Sequence, residues 1–403
     1  MDRTMTKRPL PINPALLKWA REAAGLSIEE AAERAKLKPP RTKQGSPERT
    51  PGSVLLAWET GEENPSLGKL ELVAKVYRRP LLTFFLAQPP VQQKTLADFR
   101  TIGRRSKQKD SPEFAALKRR LEALHEQLIE IAQQDGQAPY PFIGSVQSPT
   151  PAPIFSAHLR EFLEYSLEEQ KREHNTQEII KTIRDRAQRG GIFVLFEGDL
   201  GSYHSKISPI EFRGIALAHK LAPLILVNPN DAKAAQLFTL IHELAHLFLG
   251  SSGISNYDAF AKNNSYNTDN DEILCNAVAA EFLAPETMIR QLFKPGNVEE
   301  QIEILKNRFK VSRSVIARRL LDLHLINEAT YWTLLHKYNE KIELDRLKNK
   351  ELGGTPTKNI LDKFRLGNKL VDTVIGATSS GYITLQEASR MLRVPVSRFD
   401  KVL

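Results

Sequence analysis

Apolar and polar positions alternate at helical spacing through the first part of the chain. In "NPALLKWAREAAGL" Asn13 is placed to cap a helix, Pro14 fits its first turn and Gly25 ends it. "SIEEAAERAKL" opens on Ser27, and Glu30 three residues on completes a capping-box pattern. "SVLLAWETGEENPSLGKLELVAKVY" reads as a third and a fourth helix split near Gly61 and Pro65, and "RRPLLTFFLAQPP" closes the unit. Residues 95–109 read as a basic connector and 112–134 as a charged amphipathic helix. The stretch 136–155, "GQAPYPFIGSVQSPTPAPIF", is rich in Pro, Gly and Ser and reads as a linker. Helices are expected over 156–189. Three short apolar runs, "GGIFVLFEGDL", "FRGIALAHKL" and "APLILVNPND", then have the β-branched and aromatic content of buried strands. Beyond Asp231 the pattern is helical through "AKAAQLFTLIHELAHLFLG", and from about residue 297 it is helical again.

Charge adds a division of the chain. The net charge is +9, but residues 1–120 hold 24 Lys and Arg against 13 Asp and Glu, a local +11. The basic excess makes nucleic acid a natural partner for residues 1–120. No run of about 18 apolar residues marks a membrane span, and the N-terminus has no signal-peptide core. The single cysteine cannot form an internal disulfide, which fits a cytoplasmic protein.

The helices of residues 13–86 resemble the phage-repressor-like (Xre-type) helix-turn-helix, on "LLKWAREAAGLSIEEAAERA" and "WETGEENPSLGKLELVAKVY". In that family the third helix enters the major groove. The resemblance makes Ser53, Arg49, Lys43 and Arg41 candidate DNA contacts. The turn between helices two and three is normally three or four residues; here residues 38–52 intervene, with four prolines and two glycines. Weak base-specific reading is therefore expected.

The strongest chemical signal is "IHELAHLFLG". His242 and His246 are four apart and share a helix face, so their imidazoles can converge on one metal ion. Glu243 projects about 100° away from His242, where its carboxylate can take a proton from an attacking water without being a ligand. Buried in an apolar helix, two histidines and a glutamate need something to satisfy them, and a metal does so. The third protein ligand should come from a second helix, "NTDNDEILCNAVAAEFLAPE", capped by Thr268 or Asp269 and stopped by Pro285. Chemistry alone leaves both Glu272 and Glu281 open. Cys275 reads as a small core residue, and His219 as a strand-surface histidine or an aid to an oxyanion.

"FTLIHELAHLFLG" followed by "EILCNAVAAEFLAP" resembles the ImmA/IrrE family of zinc metallopeptidases. The resemblance spans roughly residues 160–290. It implies His242, His246 and Glu272 as ligands of one zinc ion per chain, Glu243 as base and Asn276 as a supporting residue one turn beyond Glu272. It departs from the family at Val278, where Phe is usual.

Together these readings imply an α+β, mostly helical protein. An Xre-like helix-turn-helix domain covers residues 1–94, and a connector, helix and linker cover 95–155. A zincin-like core with a small sheet covers 156–296, and a helical region 297–403. The expected function is a regulatory zinc metallo-endopeptidase acting on a protein such as a repressor, held by strand addition to an open strand within 215–227. Two alternatives stand beside it. One is a DNA-binding regulator or antitoxin-like protein whose metal site is a sensor or structural. The other is an interaction module built on the 38–52 insertion.

Overall fold

The capping signals act where the sequence puts them. Asn13 accepts from the Ala15 amide ahead of α1 (Pro14–Ala23), and Ser27 and Glu30 form a complete capping box at α2 (Ile28–Arg34). The computed structural model describes residues 12–38, 49–90, 110–255, 270–294, 296–338 and 364–399. Among these, residues 12–38, 49–90, 110–122 and 202–206 form one compact unit and the rest a second. The first unit continues with α3 (Pro51–Glu59) and α4 (Leu67–Val76). Leu16, Leu17, Ala20, Leu55, Trp58 and Leu70 meet in its core. Arg21 donates from Nε and Nη2 to the two carboxylate oxygens of Glu59, at 2.8 and 2.9 Å, and from Nη1 to Leu26 O. Both partners are buried, and this two-point geometry lets the pair offset the cost of desolvation. A long helix, α5 (Pro112–Gln134), follows.

The second unit holds α6 (Ala152–Phe162), α7 (Leu167–Arg172) and α8 (Thr176–Arg189). They lead into strands β1 (Phe193–Phe196), β2 (Gly214–Leu217) and β3 (Leu224–Val227). After α9 (Lys233–Leu249) comes β4 (Gly253–Ser255). The sheet order is β1-β3-β2-β4; β1 and β3 are parallel, and β2 runs antiparallel to both β3 and β4. Every residue of β1, β2 and β3 is buried, so their sequences are continuous apolar runs rather than alternating ones. β2 lies between β3 and β4, so it is not the open strand expected within 215–227. β4 contributes only three residues, too short to show as a pattern.

α9 packs against α8, α10 (Asn270–Leu283), β2 and β3. Surrounded in this way, it buries Ala235 through Phe248 without a break, which is why its sequence is apolar on all sides. α11 (Glu286–Leu292), α12 (Val298–Phe309) and α13 (Arg313–Asp322) follow. Phe309, Ile316 and Leu320 enter the same core as Leu240 and Leu244. Residues 328–338 are helical (α14), and α15 (Asn368–Ser379) and α16 (Leu385–Leu392) come last.

Two segments are tied to this core more closely than their composition suggests. The Pro-rich stretch expected to be a linker caps the metal-motif helix. Gly144 N donates to Leu247 O and Val146 N to Phe248 O, so two of the four carbonyls that a helix end leaves unpaired are satisfied. Ile143 and Val146 are buried there. The C-terminal segment is pinned to the end of β1. Buried Glu197 accepts from Arg365 at 3.2 Å and from Arg393, while Arg184 donates to Phe364 O at 2.6 Å.

Candidate metal centre

α9 brings His242 and His246 to one side, with their Nε2 atoms 3.0 Å apart. Gly250 ends the helix in the left-handed conformation, φ 73°, and its amide returns to His246 O and Leu247 O. The next residue locks a ring. Ser251 N donates to His246 O, and Ser251 Oγ lies 3.0 Å from His246 Nδ1. A hydrogen bond donated from Nδ1 turns the Nε2 electron pair towards His242 and Glu272.

The third group comes from α10. Glu272 Oε2 is 3.4 Å from His242 Nε2, and Glu272 Oε1 is 3.2 Å from His246 Nε2. Glu281, equally acidic and on the same helix, is elsewhere. Nine residues at about 100° each put it half a turn from Glu272. There it pairs with Arg319 of α13 and accepts from the Glu286 amide, while Arg319 also donates to Ala284 O at 3.0 Å. Helix geometry thus brings Glu272, and not Glu281, to the histidine pair.

His242, His246 and Glu272 are the group of His, Cys, Asp and Glu able to hold a metal ion among the described residues. Their facing atoms are separated by 3.0, 3.2 and 3.4 Å. Tetrahedral zinc with bonds of about 2.0–2.1 Å keeps neighbouring ligand atoms about 3.3 Å apart, so the spacing fits such an ion. Satisfaction points the same way. Glu272 Oε1 is buried with no hydrogen-bond partner, a deficit of about 1–3 kcal/mol that a cation would remove. Burial pushes the Glu272 carboxyl up, but hydrogen bonding and charge from the adjoining His242 and His246 rings outweigh it and hold it at about 2.

His242, Glu243, His246 and Glu272 are 2, 1, 2 and 3% exposed. The Glu243 carboxylate lies against Gly214 at the start of β2 and beside the methyl of Thr239. Asn276 sits one turn after Glu272, but its Oδ1 is buried without a hydrogen-bond partner. The Cys275 side chain is buried. His219 lies just past β2; its Nδ1 accepts from Leu221 N, and its ring stands edge-on to His125. Of the suggested DNA contacts, Ser53 caps back onto Thr50 O at the start of α3, and Arg49 is paired with Glu63 at 2.6 Å. Arg41, Lys43 and the Thr268 and Asp269 cap positions lie outside the described residues. Ser251 and Gly214 were not singled out by the sequence reading. A serine five residues after His246 carries no spacing signal, and a strand glycine is informative only once its neighbour is known.

Residues 187–321 match the family model Peptidase_M78, the IrrE N-terminal-like domain. The matched span contains the four strands, α9 and α10, and therefore His242, His246 and Glu272 together. It supports the kinship of this segment with the ImmA/IrrE family and makes it metallopeptidase-like. No curated protein and no solved structure matches the chain. No helix among the described residues is long and apolar enough to cross a membrane.

Proposed function

We propose that the second unit is a zinc-dependent endopeptidase acting on a protein substrate, in a regulatory protein whose N-terminal residues form an Xre-like helix-turn-helix. The observation that carries this reading is the convergence of His242 Nε2, His246 Nε2 and the Glu272 carboxylate next to Glu243. In it His242, His246 and Glu272 hold the ion. A zinc ion bound there would polarise the scissile carbonyl and acidify water. Glu243 takes a proton from the water that attacks the carbonyl carbon and passes it to the amide nitrogen as the C–N bond breaks. The products are a carboxylate and an amine. Ser251 holds His246 in the tautomer that faces the metal.

A repressor or another protein encoded nearby is the proposed substrate, and DNA is the proposed partner of residues 1–120 through their local +11 charge. A second reading, a DNA-binding regulator with a sensing or structural metal, draws on the nearly complete burial of all four groups. Incubation of candidate neighbouring proteins with wild-type chain and with Glu243→Gln separates the two. The peptidase reading expects cleavage by the wild type and a loss of about 100-fold or more in the variant at unchanged zinc content. Equal cleavage by both would remove Glu243 from the chemistry.

A further inference from the structure

Gly214 opens β2 and pairs with Val227 on one side and Ser255 on the other. Its backbone lies outside the left-handed region, so the chain path there accepts any L residue. Space does not. A Cβ on Gly214 would overlap Glu243 Oε1 and would stand 2.6 Å from both Glu243 Cδ and Thr239 Cγ2. Thr239 and Glu243 are four residues apart on α9 and share one face, and that face is the one turned to the start of β2.

We propose that Gly214 is the positioning residue for Glu243. The missing side chain makes the seat in which the carboxylate lies, and β2 is the floor of the site. This inference rests on the metallopeptidase reading, in which Glu243 is the base. The strand cannot retreat easily to make room for a methyl group. β2 is hydrogen-bonded between β3 and β4, and Arg213 O, just ahead of it, accepts from Asn228 N at 2.9 Å. The carboxylate is the far end of a side chain with three rotatable bonds, so it is the part that yields. Glu243 is only 1% exposed, and any move it makes takes it out of the seat. The three atoms nearest the added one belong to Glu243 and Thr239, not to His242, His246 or Glu272, so the overlap falls first on Glu243.

The test is the full-length zinc-loaded protein carrying Gly214→Ala. The expected crystal structure shows the Glu243 carboxylate turned away with β2, His242, His246 and Glu272 unmoved, at about one zinc per chain. An unmoved carboxylate with β2 displaced would overturn the proposal. A melting cycle over wild type, G214A, E243A and G214A/E243A covers a variant too unstable to crystallise. The melting-temperature loss caused by G214A should fall by about half or more when Glu243 is truncated, because the double variant loses the overlap with the carboxylate and keeps only the one with Thr239. Equal losses in both backgrounds, or failure of both G214A chains to fold, would overturn it. A wild-type chain that binds no added Zn2+ would sink the metallopeptidase reading by itself, whereas the melting cycle judges the seat without any metal.

Discussion

Glu272 and Glu281 stand on one helix and face opposite ways: Glu272 closes the histidine pair of α9, and Glu281 pairs with Arg319 of α13. The two carboxylates therefore fail differently. Glu281→Ala should keep its metal but leave Arg319 as an uncompensated buried charge, at a cost of about 3–5 kcal/mol. A lower urea midpoint at full zinc occupancy is the expected result. Loss of zinc without loss of stability would mean that Glu281, not Glu272, serves the metal.

Much of this site was legible in the sequence, because a helix has a fixed period. The four-residue spacing of His242 and His246 needs no tertiary information, and neither does the stop at Gly250. The strands at 193–196, 214–217 and 224–227 were legible as apolar runs because the sheet is buried. What was not legible depends on contacts between distant residues. The Glu281–Arg319 pair spans 38 positions, and residues 136–155 have the composition of a linker although Gly144 and Val146 cap α9. β2 looked open because its partner β4 is only three residues long.

Ser251 should matter to metal affinity without being a ligand. Ser251→Ala removes the oxygen 3.0 Å from His246 Nδ1, and losses of this kind typically weaken metal binding about 10–100-fold. Competition against a zinc chelator reads the effect, and Ser251→Thr should restore affinity. Unchanged affinity in the alanine variant would show that the ring is oriented by packing alone.

His125 gives a pH dependence away from the metal. Its Nε2 is 2.9 Å from Ala222 O, and burial lowers its pKa from 6.5 to about 4, with the Ala222 bond opposing and His219 adding to the shift. The unfolded chain therefore binds the proton more readily than the folded one. Stability is full above pH 6.5 and is lost as the pH falls towards 4, at up to about 1.4 kcal/mol per pH unit. Melting curves of wild type and His125→Gln should diverge over that window and run parallel above it. Parallel curves throughout would remove His125 as the cause.

α3 has little with which to read bases. Gly52, Val54, Leu55, Ala57, Trp58 and Glu59 are buried, and Leu56 is exposed beside the single hydroxyl of Ser53. Binding of the full-length chain to DNA should therefore be dominated by phosphate contacts. It should fall steeply between two salt concentrations, with little difference between random and self-promoter sequences. Ser53→Ala should leave it within about twofold, since the hydroxyl already donates to Thr50 O and base contacts are what specify a sequence. A preference for one site that persists at the higher salt would contradict this and favour a true operator reader.

Zinc per chain, measured on purified wild type, His246→Ala and Glu272→Gln, tests the central claim most directly. The account predicts about one zinc in the wild type and none held tightly in either variant, because each removes one of three protein ligands. Full occupancy in either variant, or a wild-type chain that takes up no zinc, would contradict it.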